Sequence, residues 1–342
     1  MRHLFLIVGL QFFFSVKAQV SQPAADSATR LKFIEFVPVS FSNRFSANIP
    51  AVLSIRAGDT VSTETIDARG YDKNNTKRQK GGNPLTGPFY IENAMPGDAI
   101  AIELIKVSLN RATAFTTESF VSRSLPKNLL QEMKKPKLVN WSLDTTNGFA
   151  TVNDTAYEHL QLFKVPLYPF VGCIGVAPAN KKNEVLSFFQ GSYGGNLDFS
   201  SITQSATVYL PVFHEGAYLY MGDGHALQGD GEIAGNALET SLHVAFTIKL
   251  IKKELLSITQ PRVEDSLYIM SVGTGKNLDG AIKTATAGLL EWMQMDYHLS
   301  LPEATQVLST SVEFVIAEIA DPAVEVVAKI KKGILKGLKK YN

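Results

Sequence analysis

Alternating apolar and polar positions recur along the chain and predict a protein built mainly of β-strands. The stretch from Leu242 to Ile251 is the clearest, because every second residue is apolar and such residues share one face of a strand. Residues 49–70 and 89–109 each predict two strands joined by a turn, and a hairpin is predicted to turn at residues 214–216. Loops rich in glycine are predicted between these strands, at residues 81–88, 170–178 and 191–200.

Helical periodicity is confined to one region near the C-terminal end. In residues 277–296, apolar side chains recur at helical spacing, at Ala281, Ala285, Leu289 and Trp292. Residues 301–319 predict a second helix with Pro302 and Glu303 in its first turn, followed by a strand in residues 323–330. The pattern therefore predicts a mainly β protein with α insertions (α+β) near residues 277–317, around a β-sandwich-like core.

The first residues are typical of an export signal. Arg2 is basic, an apolar run extends from Leu4 to Val16, and Ala18 supplies the small residue that a signal peptidase recognises. The run is too short to span a bilayer, so no stable membrane span is expected. We therefore predict a signal peptide over residues 1–19, one catalytic domain over residues 20–342, and export to the periplasm or the extracellular space.

The composition fits a folded protein and argues against a polyelectrolyte partner. Of the 342 residues, 45% are hydrophobic and 19% are charged, which is usual for a globular chain. The formal net charge of +1 creates no overall field, so no nucleic-acid partner is expected. The lone Cys173 cannot form an internal disulfide, and its apolar neighbours indicate a small buried side chain.

One stretch, "MGDGHALQGDGE" from Met221 to Glu232, concentrates candidate chemistry. A phosphate-binding loop is rejected, because Asp230 and Glu232 would repel the phosphate. A pair of tight turns would explain the glycines but would not account for His225. Asp223 and His225 are two residues apart and would point to one side of an extended segment, which favours a divalent cation. Zinc is the first choice if nitrogen ligation matters, and calcium is possible if oxygen ligands dominate.

The segment "GDGHALQGDGEIAGNALET" resembles the signature of the acetamidase/formamidase family, metal-dependent hydrolases of short amides. The segments "NPLTGPFYIENAMPGDAIAIEL", "FVGCIGVAP", "GGNLD" and "LYIMSVGTGKNLDGAIKTATAGLLEWM" follow the order of that family. The resemblance extends from about residue 51 to residue 330 and implies the family's fold and a homo-oligomer such as a dimer. The export signal is a departure, because members of the family are usually regarded as cytoplasmic.

The resemblance also implies roles for particular residues. The metal ligands would be Asp198, Asp223, His225, Glu239 and Asp67. The resemblance also gives Glu232 as a candidate ligand by position. From the chemistry of amide hydrolysis, we expect Glu232 to act as general acid and base, and Asn196 or a backbone N–H of Gly194 or Gly195 to stabilise the oxyanion. Substrate contacts are expected from Gly194, Gly195, Gln228 and Asp230.

The favoured function is therefore a secreted metal-dependent amidohydrolase acting on a small linear amide, such as acetamide or formamide. It would release a carboxylate and ammonia by means of metal-activated water. The alternative is a secreted calcium-binding β-sandwich that binds a carbohydrate or another ligand without turnover.

Overall fold

The computed structural model describes residues 31–133, 135–256 and 258–338. The predicted signal peptide, residues 1–19, lies outside the described residues, so both it and export stay predictions. The homo-oligomer implied by the resemblance also stays a prediction. No helix in the described residues has the length and apolar character needed to cross a bilayer.

Short strands make up most of the regular structure. In chain order, the strands are β1 (Phe33–Glu35), β2 (Arg44–Ser46), β3 (Leu53–Ile55), β4 (Thr60–Glu64), β5 (Leu85–Ile91), β6 (Ala99–Leu109), β7 (Thr113–Thr117), β8 (Leu138–Asp144), β9 (Phe149–Val152), β10 (Lys164–Pro166), β11 (Phe170–Gly175), β12 (Glu184–Leu186), β13 (Gln190–Gly191), β14 (Gly194–Asn196), β15 (Thr207–Pro211), β16 (Leu219–His225), β17 (Glu239–Thr240), β18 (Leu242–Ile251), β19 (Arg262–Glu264), β20 (Tyr268–Gly275), β21 (Glu313–Glu318) and β22 (Val324–Lys331). The helices are α1 (Lys127–Glu132), α2 (Leu278–Tyr297), α3 (Leu301–Ser311) and α4 (Lys332–Leu335).

The strands form two large sheets that face each other across one apolar core. The first sheet has the order β1-β4-β18-β6-β15-β19-β20-β22-β21. The second runs β10-β9-β8-β7-β17-β16-β11-β14-β13, and β5 joins it by pairing with β16 and with β3. Ile102 and Phe246 from the first sheet share the core with Phe89, Val171 and Met221 from the second. The predicted mainly β, sandwich-like fold is therefore confirmed.

The strand predicted over residues 242–251 is confirmed as β18, which pairs with β4 and β6. The helix predicted over residues 277–296 is confirmed as α2. Asn277 caps its N-terminus, because the side chain accepts a hydrogen bond from the backbone N–H of Gly280. The apolar face of α2 covers the outer side of β20 and β22.

Several predictions about local structure are wrong. The loops predicted at residues 81–88 and 191–200 contain the start of β5 and the strand β14. Residues 170–175 form the buried strand β11 rather than a loop, because Gly172 and Gly175 provide room for close neighbours within a strand. The turn at residues 214–216 does not close a hairpin, since β15 joins the first sheet and β16 joins the second. The second helix ends at Ser311, and the β-branched and aromatic residues that follow form the strand β21.

Candidate metal centre

Neighbouring strands of the second sheet bring the candidate ligands together. Asp223 and His225 lie on β16, and the register of the antiparallel pair places Glu239 of β17 opposite His225. Asp198 lies two residues after the end of β14, which pairs with β11 on the other side of β16. Pairing of strands that are distant in the sequence therefore gathers these four side chains at one place.

The ring of His225 is fully buried and lies among carboxylates. Its Nε2 atom is 3.4 Å from Oδ2 of Asp223 and 3.4 Å from Oε1 of Glu239, while Nδ1 is 3.9 Å from Oδ1 of Asp198. These distances exceed that of a good hydrogen bond, and neither ring nitrogen has a hydrogen-bond partner in the described residues. Oδ1 of Asp198 and Oε2 of Glu239 are likewise buried without a partner. Unpartnered nitrogen and carboxylate donors around one point fit a divalent cation.

Three groups of side chains offer donor atoms within 4.8 Å of one another. They are Asp223–His225–Glu239, Asp198–His225–Glu232 and Asp198–Glu318–Asp321. The first two confine the candidate ligands to a single buried pocket around His225. The third brings in Glu318, the last residue of β21, and Asp321, which follows that strand. Neither was predicted from the sequence. Their distance from the central motif in the sequence left no local signal.

The electrostatics indicate an excess of buried negative charge. Burial raises the pKa of Asp198 and that of Glu232 well above the usual range, and neighbouring carboxylates add to both shifts. Burial would lower the pKa of His225, but the charges of Glu239 and Asp223 outweigh it and raise that pKa well above the usual value. A bound divalent cation would compensate this charge, which a dry protein interior tolerates poorly.

Unusual backbone angles occur at the same place. Asn83, Asp198, Asp223 and Glu232 all have left-handed φ angles, of 59°, 43°, 55° and 45° respectively. Residues other than glycine rarely adopt such angles, and those that do tend to cluster at functional sites. The backbone here is held so that the side chains converge.

Gly172 forms the floor beneath this pocket. A Cβ atom at that position would lie 2.7 Å from Oδ1 of Asp198 and 2.8 Å from Cε1 of His225. The ring of Phe170 packs edge-on against that of His225, with centroids 4.8 Å apart. Neither residue was predicted to belong to the site, although a glycine inside an apolar run was a signal for close approach.

Side-chain amides surround the carboxylates. The Nδ2 group of Asn196 donates to Oδ2 of Asp198 at 2.6 Å and to Oδ2 of Asp321 at 3.1 Å. Its Oδ1 accepts a hydrogen bond from Asn83 at 2.6 Å, and Gln228 donates to the backbone oxygen of Asp198 at 2.7 Å. Asn196 and Gln228 therefore position Asp198, and both hydrogens on the Asn196 amide nitrogen are already engaged.

The other predicted site residues lie apart from the cluster. Asp67 is buried in an ion pair with Arg111 at 2.7 Å, and its second oxygen accepts two backbone N–H groups. Asp230 is exposed. Gly194 and Gly195 are packed between β11 and β13, where a Cβ atom would meet Ile174 O at 2.4 Å or Phe189 O at 2.3 Å. These two glycines allow close strand packing.

A cavity of about 370 Å³ opens above the cluster. At its base it reaches Asp223, Glu232, Glu239, Asn196 and Asp321. The cavity is also lined by the cationic Arg69 and by apolar and polar side chains that include Phe115, Thr117, Leu138, Phe188 and Asn236. A small molecule in this cavity would meet Glu232 and the donor set at its base.

Two packed β-sheets with a buried histidine–carboxylate cluster beneath a cavity define a β-sandwich protein with a candidate metal centre. The chain belongs to the Acetamidase/Formamidase family, whose sequence model matches residues 34–186 and 190–317. A formamidase of Methylophilus methylotrophus is 23% identical over 265 residues, covering 61% of this chain and 64% of that protein. A putative formamidase of Schizosaccharomyces pombe is 25% identical over 267 residues, and the chain spans 64% of the length of each of these two relatives.

Solved structures have the same fold. The acetamidase from Bacillus halodurans is 25% identical, with a TM-score of 0.74 over 89% of this chain and 99% of that one. A protein of Thermoanaerobacter tengcongensis, described as a predicted acetamidase/formamidase, is 24% identical with a TM-score of 0.77. That match covers 90% of this chain and 98% of the other.

Proposed function

We propose that the chain is a divalent-cation-dependent amidohydrolase that converts a linear amide into a carboxylate and ammonia. The observation that carries this proposal is the buried Asp223–His225–Glu239 set at the base of an open cavity. Membership of the Acetamidase/Formamidase family supports an amide as the substrate.

The donor set suits zinc better than calcium. His225 would supply nitrogen, and Asp223 and Glu239 would supply oxygen, which matches the three protein ligands usual at a catalytic zinc site. Calcium prefers six to eight oxygen ligands. When bound, the cation would polarise the amide carbonyl and lower the pKa of water.

Glu232 is placed to move the protons of this reaction. Its carboxylate lies at the base of the cavity, within the Asp198–His225–Glu232 group. As water adds to the carbonyl carbon, Glu232 would accept a proton from the water at a carboxylate oxygen. It would return that proton to the nitrogen as the C–N bond breaks, so that the nitrogen leaves as ammonia.

Asn196 would act as a positioning residue in this scheme. Its Nδ2 group holds Asp198 and Asp321, so it orients carboxylates rather than donating to an oxyanion. The proposed ligand set also omits Asp67, since Arg111 and backbone N–H groups already engage both of its oxygens.

Substitution of Glu232 tests whether its carboxylate transfers the protons. Glu232→Gln keeps the shape of the side chain but removes its basic oxygen, so ammonia release should fall by about 100- to 10,000-fold. Glu158→Gln, on the exposed surface, is the matched control. Zinc-loaded protein would be assayed for ammonia with a panel of neutral and anionic linear amides, after metal analysis of each preparation. Equal rates in Glu232→Gln and the control would remove Glu232 from the mechanism.

The same preparations separate the enzyme from a calcium-binding protein without turnover. Protein stripped with a chelator should regain ammonia release with zinc, and His225→Ala should lose bound zinc. Retention of calcium with no ammonia from any amide would instead support the binding protein and overturn the proposed activity.

A further inference from the structure

Arg69 is the cationic side chain among the described residues that line the cavity. It follows β4, and its backbone N–H donates to Oδ1 of Asp67 at 2.9 Å. The salt bridge between Asp67 and Arg111 holds that carboxylate in place. The backbone at Arg69 is therefore anchored, which fixes where the side chain begins.

The guanidinium of Arg69 packs on aromatic rings and has no carboxylate partner among the described residues. It lies 5.2 Å from the ring centroid of Phe115 and 5.5 Å from that of Tyr71. Within the part of the chain that the structure describes, this side chain forms no ion pair and no hydrogen bond, in contrast to Arg111 with its carboxylate partner. The N–H groups of this half-buried guanidinium are therefore available to bind an anionic group.

The cavity is large for the smallest amides. A water molecule accounts for about 30 Å³ of liquid, so the four heavy atoms of acetamide would occupy roughly 120 Å³ at most. The cavity of about 370 Å³ leaves room for a longer acyl chain. Phe115, Leu138 and Phe188 line the same cavity as Arg69 and the buried carboxylates, and they supply apolar surface for that chain.

We propose that Arg69 binds the carboxylate of an anionic substrate, so that the preferred amide is the monoamide of a dicarboxylic acid. This inference rests on the proposed amide hydrolysis. The amide end would face Glu232, and the carboxylate would form a bidentate salt bridge with the guanidinium. A single negative charge matches the single guanidinium, while a doubly charged group such as phosphate would be repelled by the carboxylates at the base.

The test compares glutaramate with pentanamide, in which a methyl group replaces the carboxylate. In zinc-loaded protein, kcat/KM should be higher for glutaramate. Arg69→Met should lower the ratio of the two kcat/KM values by about 10- to 100-fold, because a charge-assisted contact is lost. Arg69→Lys keeps the charge without the planar fork and should lie between the two.

Arg56→Gln is the control, since Arg56 pairs with Glu92 at 3.9 Å on the exposed surface. Thermal unfolding of each variant identifies any loss of folding caused by removing the stack on Phe115, and Arg69→Lys keeps the comparison available if Arg69→Met is unstable. An unchanged ratio in both Arg69 variants, with ammonia still released, would overturn this inference and leave the proposed function standing.

A binding measurement separates the two proposals further. Calorimetry with glutaramate and Glu232→Gln protein should show binding that Arg69→Met weakens by about 10- to 100-fold. If glutaramate bound in this way but the unmutated protein released no ammonia from any amide, the anion site would be supported and the proposed hydrolase activity would be wrong. Equal affinity with and without the Arg69 guanidinium would reject the anion site.

Discussion

His225 is the residue on which the candidate centre depends. Its ring contacts the edge of Phe170, and its two nitrogens face carboxylates from three different segments. The spacing of Asp223 and His225 was visible in the sequence, because residues two apart share one side of a strand. Asn83, Gly172, Glu318 and Asp321 were not predicted, since their proximity depends on contacts between distant segments.

Gly172 leaves room for the side chains of Asp198 and His225, because it has no side chain of its own. Gly172→Ala would place a methyl group against Asp198 and His225, so zinc affinity should fall by about 10- to 100-fold, as is usual when atoms supporting metal ligands are disturbed. Affinity would be measured by competition with a zinc chelator, alongside thermal unfolding. Gly229→Ala is the control, because a Cβ atom there meets nothing within 4 Å. If both variants bound zinc equally well, Gly172 would not be the floor of the site.

At the scale of elements, small residues let helix α2 lie directly on β20. A Cβ atom at Gly273 of β20 would be 2.2 Å from the backbone nitrogen of Ala285 and 2.4 Å from the backbone oxygen of Ala281. The periodicity of α2 could be predicted from the sequence. The need for glycine in the facing strand could not, because it arises only when the helix packs against that strand.

Gly273→Ala should therefore destabilise the protein by about 1–3 kcal/mol, because the methyl group would collide with the helix backbone. Urea unfolding would measure the change. The control is Gly333→Ala in α4, where nothing lies within 4 Å and alanine favours the helix by roughly 0.5–1 kcal/mol. If Gly273→Ala left the free energy of unfolding unchanged, α2 and β20 could move apart without loss of stability.

For the whole molecule, buried carboxylates make stability depend on pH. Burial raises the pKa of Glu318 from 4.5 to about 7, although the backbone N–H groups of Asp321 and Ala320 oppose the shift. The folded state therefore binds this proton more tightly than the unfolded state does. The resulting contribution to stability is fully present below pH 4.5 and is lost as the pH rises through about 7.

In the cation-free protein, the free energy of unfolding should fall between pH 4.5 and pH 8 as Glu318 loses its proton. Glutamine has no such proton to lose, so in Glu318→Gln this fall should be smaller by up to about 3 kcal/mol. Urea unfolding at a series of pH values would measure it, with the exposed Glu254→Gln as control. The same pH slope in both variants would contradict a raised pKa at Glu318.

The strand-rich character, helix α2, the pair Asp223 and His225, and the resemblance to the family could all be predicted from the sequence. Each is carried by local periodicity or by a continuous motif. Three features became visible only in the folded chain: β15 and β16 enter different sheets, Glu318 and Asp321 approach Asp198, and Asp67 pairs with Arg111. Such contacts depend on strand pairing and side-chain packing between distant segments, and residue spacing within one segment does not specify them.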